Sequence, residues 1–275
     1  MDGKNAPLPQ EGRFDWNELG LGNGLRVLVV PPHPDDECLT GLLPLRLQRE
    51  AGAEVDVRAA TYGSSEARRK ERRKELEAAC GVLEWRMLGR GVVPLEVEEL
   101  ANLLAKGRYG LVVCPHARDG HPRHRATHRL VRDAIARSPG RGPLVAETDY
   151  WMPMEHPNLA VEGSDLYLEW LKAALRMHKG EVARSDYDKR LWAWWVDNVR
   201  RGSESIGGAG AAGLEMPAGE MYRVGRYDEG RWRAAWRGGK VAGEERGAWD
   251  ERSPATIMCQ CNRGTTSNAN AGLLA

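Results

Sequence analysis

Apolar residues gather first between Leu25 and Val30, where LRVLVV runs almost without a polar break and then gives way to the turn PPHPDDE. A segment this short and this continuous predicts a strand covered on both faces. Past the turn, Leu39, Leu42, Leu43, Leu45 and Leu47 follow at helical spacing as far as Gly52, with Pro44 tolerable in the first turn. The unit then repeats. Strands are predicted over 54–61, 84–88, 109–115 and 143–148, separated by helices over 64–80, 95–107 and Pro122–Arg137. Strands alternating with helices of this length predict an α/β fold: a Rossmann-like parallel sheet wrapped on both faces by right-handed crossovers.

Beyond residue 150 the periodicity weakens. Asp165–His178 and Ser185–Arg201 read as helices, Gly202–Gly213 as a glycine- and serine-rich connector, 220–227 as a returning strand, and the stretch after Arg252 as a polar tail. The expected division is a catalytic core over 1–180 and a smaller C-terminal α+β extension over 181–275 that completes or caps the substrate site. In a parallel sheet the ligand crevice lies beyond the carboxyl ends of the strands. The two histidine-rich segments, PPHPDDE and CPHARDGHPRH, both follow strands and are expected to converge there.

Composition narrows the picture. A chain of 275 residues, 41% hydrophobic and 29% charged, suits one sizeable globular core. Forty basic against thirty-nine acidic residues leave a net charge of +1, so no global field favours nucleic acid or an anionic membrane. The first twenty residues lack the apolar run of a signal peptide, and nowhere do eighteen apolar residues follow one another, so a cytoplasmic location is expected. Cys38, Cys80, Cys114, Cys259 and Cys261 are odd in number and scattered, which predicts reduced thiols rather than a disulfide framework. Cys259-x-Cys261 has no second pair with which to build a metal site.

The chemistry lies in the two turns. A catalytic zinc takes three protein ligands, imidazole or carboxylate, and keeps one position open. His33 and Asp36 can close on one ion while Asp35 points at the open position, and the helix that follows favours ionised carboxylates. His121-Pro122-Arg123-His124 offers a third ligand and a spare imidazole. Metal then acidifies water, Asp35 takes its proton, and a cationic imidazole stabilises an oxyanion.

At these residues the chain resembles the LmbE-like, PIG-L-type N-acetylglucosaminyl deacetylases, a family that includes the mycothiol and bacillithiol pathway deacetylases. Its first motif, [AP]-H-P-D-D-E, stands intact as Pro32-His33-Pro34-Asp35-Asp36-Glu37, and its H-P-D-H motif appears as His121-Pro122-Arg123-His124. The resemblance implies one zinc ion per chain on His33, Asp36 and His124, with Fe2+ as an alternative divalent ion. It implies Asp35 as general base and His121 as oxyanion-stabilising group or general acid. Thr61-Tyr62-Gly63 and Arg72-x-x-Glu75 with Ala79 resemble the family's strand-end turn and next helix, where an arginine, here Arg72, contacts a polar substrate. Lys172, Ala173 and His178 bear a looser likeness to a K-x-x-A-x-x-x-H stretch, as does Glu220–Val224 to the closing strand. The implied substrate is a small N-acetylated sugar.

Arg123 departs from the pattern, since relatives carry an aspartate there. A cation beside His121 is expected to lower its pKa unless another acid, such as Asp119, compensates. His128, one turn past His124, reads as a neighbour rather than a ligand. The basic run over 67–75 reads as a solvated helix face, because Glu71 and Glu75 interrupt it. Trp192 and Trp195 read as core or subunit contact, so a homo-oligomer is allowed. Three functions compete: N-deacetylation of a GlcNAc-type molecule, hydrolysis of another amide such as an acyl aminosugar or thiol conjugate, and sugar binding without catalysis. Asp35 speaks against the last, since a binding module needs no free carboxylate beside a metal.

Overall fold

The computed structural model describes residues 15–138 and 140–243. Cys259, Cys261 and the polar tail lie outside the described residues. After a single 3-10 turn at Trp16–Leu19 come β1 (Arg26–Val29), α1 (Asp36–Leu39), α2 (Leu42–Ala51), β2 (Glu54–Val57), α3 (Glu66–Leu83) and β3 (Arg86–Met87). There follow α4 (Val97–Gly107), β4 (Leu111–Pro115), α5 (Pro122–Arg137), β5 (Leu144–Thr148), β6 (Leu159–Glu162), α6 (Asp165–Leu175) and α7 (Lys179–Val182). The described chain ends with α8 (Tyr187–Gly207), β7 (Gly219–Asp228), β8 (Arg231–Ala234) and β9 (Lys240–Ala242).

The strands form one mixed sheet in the order β3-β2-β1-β4-β5-β7-β6-β9, with β8 paired to β7. β1 to β5 run parallel, as expected, and β7 is antiparallel to both β5 and β6. Alternation along each strand explains why helices cover both faces. Val27, Val29, Leu111 and Val113 join the larger core, built with residues of α2, α3, α6 and α8. Leu28, Val30, Val112 and Cys114 join a second core against α4 and α5. A strand buried on both sides has no reason to alternate apolar with polar, which is why LRVLVV is continuous.

Three details differ from the sequence expectations. The segment after PPHPDDE is two helices instead of one, broken at Thr40–Gly41. A Cβ at Gly41 would stand 2.3 Å from the Glu37 carbonyl, so only glycine lets α2 start this close to α1. The first amides of α2 are satisfied from β7, Leu42 N–H donating to Glu220 (3.2 Å) and Leu43 N–H to the Tyr222 hydroxyl (2.9 Å). The connector placed at Gly202–Gly213 begins later, because α8 continues to Gly207. β6, β8 and β9 were not anticipated, and together with β7 they extend the same sheet on the far side of β5. Trp195 is fully buried and donates from Nε1 to Glu220 (3.0 Å), in keeping with the core reading.

Strand order reverses at β1: the chain moves outward through β2 and β3, then crosses back to lay β4 on the other side. The loops after β1 and β4 therefore leave adjacent strands at the same end and part to opposite faces, which opens a crevice between them. Those loops carry both histidine motifs.

Candidate metal and catalytic site

The crevice is lined by Pro31, Pro32, Asp36, Asp119, His124 and Tyr150, among others. One ligating atom each from His33, Asp36 and His124 falls within 4.8 Å of the other two. Asp36 is their hub. Its Oδ2 accepts from the His33 amide (2.9 Å), lies 3.2 Å from His33 Nδ1, and is 3.5 Å from His124 Nε2. Two imidazoles and a carboxylate are a borderline donor set of the kind zinc favours.

The electrostatics fit a cation. Burial works to raise the Asp36 carboxyl, but His124 and His33 outweigh it and hold Asp36 below the ordinary carboxylate range. Burial lowers the His124 pKa, yet Asp36 and Asp119 push it up to about 10. These shifts have one cause: buried carboxylates that require positive charge between them. A divalent ion would meet that requirement, with His124 then neutral. The four-residue α1 is too short for its dipole to explain the ionised Asp36, so the imidazoles take the role first assigned to the helix terminus.

Asp119, which the sequence offered as a compensating acid, does pull the His121 pKa upward, though less than burial and the two imidazoles lower it, and it also engages His124. Its Oδ2 lies 3.2 Å from His124 Nδ1, and its Oδ1 accepts from the His121 amide at 2.7 Å. It thus orients His124 from behind, leaving Nε2 directed at Asp36. His121 caps α5: its Nδ1 accepts the Arg123 amide at 3.2 Å. An accepting Nδ1 assigns the proton of the neutral ring to Nε2. Burial, then His124 and His33, lower the His121 pKa, consistent with that neutral form. The lowering favours the neutral ring over the cationic imidazole expected from sequence.

Arg123 is exposed at the second position of α5. The lowering of His121 that the sequence ascribed to it comes from burial and the two imidazoles instead. Solvent and salt screen an exposed guanidinium. Arg123→Asp is therefore expected to leave the basic limb of any pH–rate profile within about 0.3 units of the parent, and a larger upward move would restore the coupling.

Asp35 sits beside this group. Its backbone φ is +118°, a region that side chains rarely adopt and that costs of order 1–3 kcal/mol. Burial, then Asp36, push its carboxyl well above the usual range, with Arg72 pulling the other way. Arg72 Nη2 donates to the Pro34 carbonyl (2.8 Å) and lies 3.5 Å from Asp35 Oδ1, while the Tyr187 hydroxyl approaches Oδ2 at 3.5 Å. Gly63 makes room for this arginine, since a Cβ there would stand 2.7 Å from Arg72 Nη1. Arg72 thus reaches the site by gripping the motif turn.

His116, His128 and His178 are engaged elsewhere. His116 Nε2 meets the Met152 carbonyl (3.0 Å), and His128 lies between Glu147 (2.9 Å) and Tyr227 (2.8 Å). Glu37, Cys38 and His178 form a second cluster with metal-like spacing, but they are hydrogen-bonded to one another. Sequence reasoning gave Glu37, Glu181 and Tyr187 no role. Glu37 at least stands inside the motif; the other two carry no local signal. At the mouth, Trp151 is half exposed, its ring 6.4 Å from that of His121 and edge-on to Tyr150.

Residues 28–135 match the family described as PIG-L, GlcNAc-PI de-N-acetylase. That segment, which holds both motifs, is a domain of the PIG-L (LmbE-like) family. No curated protein sequence matches the chain significantly. Among solved structures, N,N'-diacetylchitobiose deacetylase from Pyrococcus horikoshii, complexed with its inhibitor MPG, is 21% identical with TM-score 0.55 over 72% of this chain and 83% of its own. A deacetylase triple mutant of the teicoplanin biosynthetic pathway is 19% identical with TM-score 0.53, over 74% and 99%. GalB, the 4-carboxy-2-hydroxymuconate hydratase from Pseudomonas putida KT2440, is 17% identical with TM-score 0.56, over 73% and 95%. At these identities the likeness is one of fold, and a hydratase among the neighbours means that the site must argue the reaction. Among the described residues no helix is long and apolar enough to cross a membrane.

Proposed function

We propose that the protein is a zinc-dependent hydrolase that removes the N-acetyl group from a GlcNAc-type sugar or sugar conjugate. One observation carries the reading: His33, Asp36 and His124, brought from two strand ends to within 4.8 Å at their ligating atoms, with Asp35 beside them. His33, Asp36 and His124 would hold the ion, one per chain. When bound, such an ion supplies Lewis acidity, which polarises a carbonyl and acidifies water. Asp35 takes a proton at its carboxylate from the attacking water and later delivers it to the leaving nitrogen, so that water and amide become acetate and free amine. A carboxyl whose pKa is raised is the better suited to hold that proton between the two steps. His121 donates its Nε2–H to the oxygen on which negative charge develops. Arg72 steadies Asp35 and presents positive charge to a polar substrate. The exposed face of Trp151 beside His121 suits the apolar side of a pyranose ring. A cytoplasmic location is part of this proposal, and three buried free cysteines among the described residues are in keeping with it.

Incubation with N-acetylglucosamine and N,N'-diacetylchitobiose, with and without zinc and with a chelator, tests the reading. Free amine and acetate are expected in equal amounts, and the chelator is expected to stop their release. Amine release untouched by chelation would overturn the metal's part, and no release from any N-acetylated sugar would overturn the activity.

A further inference from the structure

The turn that carries Asp35 is held from behind by the chain some 140 residues later. The Asp35 amide donates to Glu37 Oε2 at 2.9 Å, and Glu37 Oε1 lies 2.6 Å from His178 Nε2. Both Glu37 and His178 are wholly buried. His178 is the residue before α7, which follows α6, and α6 packs against α1. One turn on, Glu181 approaches Arg72 at 3.6 Å, and Arg72 in turn grips the Pro34 carbonyl and approaches the Asp35 carboxylate. The residue at φ +118° is therefore gripped twice: its amide through Glu37 from His178, its carboxylate through Arg72 from Glu181. A strained backbone persists only where its surroundings over-determine it, and these two arms supply that constraint.

We infer that His178 is a positioning residue for Asp35: acting through Glu37, it holds the Asp35 amide and so fixes the carboxylate in its place between Arg72 and Tyr187. The inference rests on the reading of Asp35 as the base. None of the three groups needs to change its protonation state. The donor on His178 only has to be present, because without it Glu37 Oε1 keeps only the weak Cys38 thiol donor at 3.2 Å and the carboxylate can turn from the Asp35 amide. Side chains that orient functional groups at one remove typically affect activity by about 10–100-fold.

The test compares His178→Leu, which removes the donor, with His178→Gln, whose side-chain amide still reaches Glu37, and His178→Asn, whose shorter amide does not. Three quantities are read on the full chain: metal content, kcat against KM for N,N'-diacetylchitobiose, and hydrogen exchange of the Asp35 amide. The Leu and Asn variants are expected to lose about 10–100-fold in kcat with KM and metal content nearly unchanged, and to exchange the Asp35 amide faster. The Gln variant is expected to recover most of both. In an Asp35→Asn background, His178→Asn should cost nothing further. Should Leu fail to fold, the Asn–Gln contrast still decides. Wild-type kcat and exchange in the Asn variant would overturn the inference, as would equal losses in Asn and Gln. Full activity in Asp35→Asn would instead overturn the role of Asp35 itself, and the exchange measurement stands apart from any turnover.

Discussion

Asp35→Asn is expected to bind metal like the parent and to lose about 10²–10⁴-fold in turnover, the usual contribution of a general base. In free energy that is about 3–5 kcal/mol of transition-state stabilisation. Asp35 is not among the residues whose ligating atoms converge, and its oxygens approach Arg72 and Tyr187, both at 3.5 Å. Removing its charge should leave the ligand set whole. Asparagine is the better substitution because Asn and Asp tolerate positive φ more readily than alanine, whereas Asp35→Ala adds backbone strain at φ +118° to the chemical loss. The two variants together separate these effects: similar turnover in both assigns the loss to the carboxylate, and a further fall in Ala measures the strain. Metal analysis is the control that decides the roles. If Asp35→Asn loses metal as fully as Asp36→Asn, the two aspartates have been exchanged; if it keeps parental turnover, the base lies elsewhere.

What could be read from the chain before folding follows its periodicities. β1, β4 and β5 announce themselves as continuous apolar runs because both faces are covered, and α5 because Pro122 starts it where an amide partner is missing in any case. The motif turns could be placed at strand ends for the same reason. The break between α1 and α2 was not legible, because what ends one helix and starts the next is Glu220 and Tyr222, about 180 residues away. β6, β8 and β9 are three or four residues long, too short for a two-residue period to stand out. Within the site, ligand types are written in HPDDE and HPRH, but their orientation is not. Asp119 was recognisable as an acid near the second motif, and only the fold turns it toward His124 Nδ1. Arg123 looked like a perturbing charge while adjacency in sequence stood in for adjacency in space; its side chain is exposed, and only its amide touches His121.

Metal binding should fail in His33→Ala and in His124→Gln, where the parent is expected to hold about one zinc ion per chain. Removing one of three protein ligands leaves two, and Asp36 then lacks one of the two imidazoles, at 3.2 and 3.5 Å, that hold it ionised. Gln is chosen at position 124 because His124 is buried between Asp36 and Asp119, and a cavity there would confound loss of metal with loss of packing. Asp119→Asn should act more mildly, weakening affinity by about 10–100-fold while keeping stoichiometry at saturating metal, since it orients a ligand without being one. Thermal unfolding supplies a readout independent of turnover. A ligand that binds only the folded state at 100 times its dissociation constant adds about 2.7 kcal/mol, so zinc should raise the parent's Tm by several degrees, Asp119→Asn less at the same zinc concentration, and His33→Ala and His124→Gln hardly at all. Parental stoichiometry together with an undiminished Tm rise in both ligand variants would show that the ion, if held, sits on other residues.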